Sequence, residues 1–158
     1  MKSQKAKVKS QNYRAKVKAI DGMVSEGDGS AYEPNKDFEP HPAKEGLRIR
    51  SYKFAVAVVR FVDRLETRSA QFSIRDQLIR AATSVGANIV EARAASSKRD
   101  FMRFYEIALK SSNETKFWLC LLRDAFDIDK SRIEPLLNEA TELSNIIAAS
   151  VLTMKNKR

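Results

Sequence analysis

The polar residues best placed to do chemistry lie in one stretch, LIRAATSVGANIVEARAASSKRDFMRFYEIALKSSNE, from Leu78 to Glu114. It reads as two helices joined by a short polar break. Ser84, Asn88 and Glu91 lie on the first, and Ser112, Asn113 and Glu114 on the second. Asn88 and Glu91 are three residues apart, a spacing that puts them on one face of a helix. If the chain folds back near residue 95, Glu91 comes opposite Arg99 or Arg103 and the first amides of the second helix. Carboxylates gathered in this way suit a magnesium-dependent hydrolytic site, for which Glu91, Glu106 and Glu114 are the candidates. They also suit a structural clasp, in which Ser84, Asn88, Glu91, Ser112 and Glu114 hold two helices in register. The clasp is the favoured reading.

The residue inventory removes the commoner enzymatic alternatives. A di-iron bundle requires two Glu-x-x-His motifs, whereas the sole histidine, His41, sits in a Pro-rich segment outside the helical pattern. Nucleophilic triads lack a base for the same reason. The single cysteine, Cys120, admits neither an internal disulfide nor a cysteine-based zinc site, and it lies in an apolar run that suits a buried thiol. No glycine-rich phosphate loop follows a strand. The expectation is a non-enzymatic protein with no cofactor and no metal.

The elements that position this stretch follow from apolar periodicity. Phe54, Val58, Phe61, Val62 and Leu65 keep helical spacing in a first helix expected from Ile49 to about Arg68. A second helix, capped by Ser73 with Asp76 three residues on, carries Ile74, Leu78, Ala81, Ala82, Val85 and Ile89 inward. Gly86 in its middle costs about 1 kcal/mol relative to alanine, which close approach of a neighbouring helix would offset. Ser96 or Ser97 caps the third helix. Ser131 with Glu134 forms a capping box for the fourth, which runs from Arg132 to about Lys155 with Pro135 in its first turn. No alternating run suggests strands. The fold class is all-α: an up-down-up-down four-helix bundle over 47–158.

One segment resists a place inside a single bundle. Phe117 to Leu122 is apolar at six successive positions, covering every side of its helix. A helix apolar all round must be covered all round. Phe117, Trp118, Cys120 and Leu121 are therefore the expected oligomer interface.

Charge points to the partner. The chain of 158 residues carries a net charge of +9, which favours an anionic partner such as RNA, DNA or an acidic protein. Residues 1–18 hold seven positive side chains (Lys2, Lys5, Lys7, Lys9, Arg14, Lys16 and Lys18) and no acid. From Ala19 to Gly46 the balance reverses to seven acidic against two basic, with four of the five glycines and three of the four prolines. Such composition cannot offset its ordering entropy, so residues 1–46 are expected to form a disordered arm. Arg93, Lys98, Arg99 and Arg103 form the basic cluster of the folded part. The arm cations and this cluster are the candidate nucleic-acid-binding residues. No apolar run approaches the ~20 residues that span a bilayer, and no secretory signal is present, so the expected location is cytoplasmic.

The run QLIRAATSVGANIVEA followed by SSKRDFMRFYEIALKSSNETKFWL resembles the bacterial 23S ribosomal RNA intervening-sequence protein family. The resemblance rests on Gln77, Leu78, Arg80, Ala81, Ala82, Ser84, Asn88, Ile89 and Glu91, then Ser97, Asp100, Phe101, Arg103 and Phe104, then Ala108, Leu109, Ser111 and Glu114. It spans about 48–156; Ala92 stands where the family pattern has glycine. The resemblance implies a four-helix bundle assembling as a ring, typically a homopentamer, with no established enzymatic activity. The basic surface and tail make RNA or a ribonucleoprotein the expected partner; the resemblance adds the alternative of a reverse transcriptase, since related bundles serve as accessory subunits in diversity-generating retroelements and bind both the enzyme and nucleic acid.

Overall fold

A computed structural model describes residues 46–65, 71–126 and 128–156. The arm, apart from Gly46, lies outside the described residues. Four helices follow one another: α1 (Leu47–Asp63), α2 (Phe72–Ala92), α3 (Lys98–Ala125) and α4 (Lys130–Asn156). They pack as a square in which α1 touches α2, α2 touches α3, α3 touches α4 and α4 closes on α1. All regular structure among the described residues is helical. No helix among them is long and apolar enough to cross a membrane.

The helix ends differ from the sequence expectation where local hydrogen bonding decides them. α1 stops at Asp63 rather than near Arg68, and the Leu65 amide donates to the Val62 carbonyl at 3.1 Å, a tightened last turn that still buries Leu65. Ser73 lies inside the first turn of α2 instead of capping it. Ser97 does cap α3, its hydroxyl accepting from the Asp100 amide at 3.1 Å. At α4 the cap is Asp129, whose carboxylate accepts from the Ser131 amide at 2.8 Å. That bond, with a second from the Ser131 hydroxyl, holds the Asp129 carboxyl below its ordinary pKa. Pro135 consequently sits past the first turn, where the Ser131 carbonyl loses its helical donor.

The apolar stripes meet in two clusters. The larger joins Phe54, Val58 and Phe61 of α1 to Leu78, Leu119, Leu122, Ile133, Leu136 and Leu143. The smaller, towards the α2–α3 turn, holds Val85, Ile89, Ala108 and Ile147. Contacts across helix ends fix the two poles. Arg75 donates to the Val62 carbonyl at 2.7 Å at one pole. At the other, Lys155 pairs with Glu106 at 2.8 Å, and the hydrogen bond from Lys155 lowers the Glu106 pKa. Gly46 and residues 93–97 share this second pole, because α1 begins and α2 ends there.

Gly86 is buried against the backbone of Ser51 on α1. A methyl group there would meet the Ser51 carbonyl oxygen at 3.5 Å, ordinary van der Waals contact. Gly86→Ala is therefore expected to stabilise the bundle by up to about 1 kcal/mol through helix propensity, read as a raised thermal midpoint. Gly86→Leu, which would press into α1, is expected to lower it.

Candidate nucleic-acid interface and the polar belt behind it

Between the two apolar clusters lies a layer of buried polar residues contributed by all four helices. Arg50 of α1 and Glu139 of α4 form a two-pronged ion pair, with Nε on Oε1 and Nη2 on Oε2 at 2.7 Å. Their side chains are only 8% and 3% exposed, so the charges are matched inside the protein rather than by water. Next to Arg50, the fully buried Ser51 donates to the Arg48 carbonyl. Across α2, Ser84 accepts from Ser111 of α3 at 2.9 Å and from Asn88 at 3.0 Å. Ser112 of α3 turns the other way: its hydroxyl donates to the Ala140 carbonyl at 3.0 Å and lies 2.9 Å from the Ser144 hydroxyl. Ser144 in turn lies 3.2 Å from the Asn113 side-chain oxygen. The belt's bonds join α1 to α4, α4 to α3 and α3 to α2.

Of the polar residues expected to act together, the structure joins Ser84 and Asn88 to Ser111, and turns Ser112 towards α4. Glu114 is exposed on α3 and accepts from Trp118 Nε1 at 3.2 Å. Glu91 is exposed at the end of α2, and among the described residues no hydrogen bond or ion pair joins it to Arg99 or Arg103. Glu91, Glu106 and Glu114 do not converge: among the described residues no three His, Cys, Asp or Glu side chains gather as metal ligands would. Arg50, Glu139 and Ser144 were not among the expected site residues. Their signal was position: Arg50 lies four residues before Phe54 on the α1 stripe, and Glu139 lies between Leu136 and Leu143 on that of α4.

The second pole carries the cations. Arg93, Lys98, Arg99 and Arg103 are all exposed there, within eleven residues of chain. Arg99 and Arg103, one turn apart, line an open hollow with Ser96, Ser97, Asp100 and Glu106. Phe101 and Tyr105 stack on each other with ring centroids 4.8 Å apart and are half-buried, so they complete the bundle end rather than offering free faces. Lys2, Lys5, Lys7, Lys9, Arg14, Lys16 and Lys18 lie outside the described residues.

The apolar run of α3 divides by face. Leu119 and Leu122 are fully buried, Trp118, Cys120 and Leu121 half-buried, and Phe117 is 58% exposed. Phe117 rests edge-on against Trp118, with centroids 4.9 Å apart.

The family model described as 23S rRNA-intervening sequence protein matches residues 47–149, the greater part of the bundle. The chain belongs to that family. Among solved structures it is similar to a protein of unknown function from the S23 ribosomal protein family of Bacteroides thetaiotaomicron. The two share 35% identity over 67% of this chain and 98% of the other, with a TM-score of 0.63. No curated protein matches significantly. In this family member, Ser84, Asn88 and Ser111, which carried the resemblance, form the α2–α3 hydrogen bonds of the belt.

The belt makes a direct prediction. Glu139→Ala removes both prongs of the ion pair from the buried Arg50 guanidinium and is expected to cost about 3–5 kcal/mol. Replacing both partners, as Arg50→Met with Glu139→Leu, removes both buried charges and is expected to recover most of that loss. Chemical denaturation of the three proteins measures the difference.

Proposed function

We propose that this protein is a non-enzymatic homo-oligomeric bundle that binds RNA, alone or within a ribonucleoprotein, through its basic pole. The observation that carries the reading is the exposure of Arg93, Lys98, Arg99 and Arg103 together at one end of the molecule. Around them the helical region, residues 47–158, has twenty Lys and Arg against thirteen Asp and Glu, so the local cluster sits in a favourable long-range field. The seven cations of residues 1–18 extend the same charge. Arg and Lys side chains are the usual donors to nucleic-acid phosphates, and this helix end exposes four of them. Catalysis is no part of the proposal; the only histidine of the chain lies outside the bundle.

Self-association rests on the α3 patch. An aromatic ring that is more than half exposed, braced against Trp118 and flanked by Cys120 and Leu121, suits burial against another subunit. The ring assembly, a pentamer, is what the sequence resemblance supports.

Binding to a single-stranded RNA is expected to weaken with salt, with a log–log slope of about 0.7 for each phosphate neutralised. Arg99→Glu with Arg103→Glu is expected to reduce both the affinity and that slope. RNA binding that ignores salt, or the absence of binding, would reject the RNA reading. For assembly, light scattering of the full chain is expected to give a multiple of the 17.9 kDa subunit mass, and Phe117→Lys to shift it towards one subunit. A wild-type monomer would reject the oligomeric part.

A further inference from the structure

An apolar groove of about 560 Å³ runs along the outer seam between α1 and α2. Val56, Val59, Ala87 and Val90 form its sides, and Val59 and Val90 are each 40% exposed. Glu91 stands at the end nearer the basic pole. No residue of α3 lines this surface, and α3 carries an apolar feature of the opposite sense. There Phe117 projects, 58% exposed and braced edge-on by Trp118.

We infer that the groove receives Phe117 of a second copy, so that subunits join head to tail. The inference rests on the self-association proposed above and names the surface that the α3 patch meets. Two grooves facing each other would enclose a void, and two projections facing each other would leave both grooves uncovered. Pairing the projection of one copy with the groove of the next covers both, and the same contact repeats from subunit to subunit. Phe72 and Leu152 are also exposed, but Phe72 opens α2 and Leu152 lies in the last turns of α4. Phe117 stands inside its helix with a second aromatic ring beside it.

Charge sets the register. Lys110 is exposed and lies seven residues before Phe117, two turns away on the same face of α3. It acts on Glu106, but that acid is already paired with Lys155. Glu91 is exposed too, and lies seven residues beyond Ser84 on α2. Each spacing is roughly 10 Å along its helix. Both run towards the same pole, because α3 begins where α2 ends. A copy standing alongside with the same polarity therefore brings Phe117 to the level of Ser84, between Thr83 and Ala87 of the groove, as Lys110 comes opposite Glu91. Arg48 and Arg60, also on the rim, have contacts within their own subunit and take no part in the match.

Light scattering of mixed variants of the full chain tests this. Phe117→Lys removes the projection. Val59→Lys with Ala87→Arg fills the groove from both walls, at exposed positions outside the buried core. Each variant alone is expected to scatter as one subunit, with helical content by circular dichroism unchanged. Mixed in equal amounts, they are expected to form particles of twice the 17.9 kDa subunit mass and no larger, since one copy supplies the only intact groove and the other the only intact Phe117. Glu91→Lys or Lys110→Glu alone is expected to weaken assembly severalfold, and the two together to restore it. A groove-filled variant that keeps the wild-type mass would overturn the inference while leaving self-association standing. So would a mixture that stays monomeric, or a charge exchange that restores nothing. A wild-type monomer would overturn both.

Discussion

The ion pair between Arg50 and Glu139 is the constraint on which the arrangement of this bundle depends. Each charge is inside the protein, where a missing partner costs far more than the matched pair contributes. Both prongs form only when the start of α1 and the middle of α4 stand at one level. Apolar packing tolerates sliding by fractions of a turn; a two-pronged guanidinium–carboxylate contact does not. The serine bonds extend the same demand to α2 and α3, since Ser84 meets Ser111 and Ser112 meets Ser144 within the same cross-section. An apolar seam supplies most of the stabilisation in such a bundle. The belt selects one register among those the seam would allow.

Placing charge in mid-bundle divides the core and gives the two ends different characters. The end built around Phe54, Phe61, Leu122 and Leu136 is the more heavily packed. The end around Val85, Ile89, Ala108 and Ile147 buries less apolar surface. It is this lighter end that carries Arg93, Lys98, Arg99 and Arg103 and from which α1 starts. Local opening follows the density of buried apolar contacts, so the basic end is also where the helices have most freedom to adjust.

Much of the architecture was legible because helical periodicity is a local signal. The stripes of α1, α2 and α4 name their own buried residues, and Ser97 with Asp100 announces the start of α3. Local signals also mislead: Ser131 with Glu134 has the spacing of a capping box, yet Asp129 is the residue that caps the helix, taking the Ser131 amide. Arg50 and Glu139 were readable only as charges on an apolar stripe. Their partners are 89 residues apart, a separation that no local pattern reports. Ser112 shows the same limit, since its neighbours in sequence give no indication that it faces α4 while Ser111 faces α2. The groove between α1 and α2 was hidden for a related reason. Val56, Val59 and Val90 each widen an apolar stripe, and only the crossing of two helices turns those margins into one surface.

The most recognisable residues of the chain are occupied inside the bundle. Ser84, Asn88 and Ser111 hold α2 against α3 through hydroxyl and amide bonds whose geometry is already satisfied. A satisfied, half-buried hydrogen bond has little to offer a ligand. A phosphate gains from cations that water can reach and counterions can leave, which is the condition of the four basic residues at the pole. The belt keeps α2 and α3 at fixed height, and so keeps Arg93 near Lys98, Arg99 and Arg103 across the turn. What is most constrained inside the bundle therefore sets the spacing of charge on its surface.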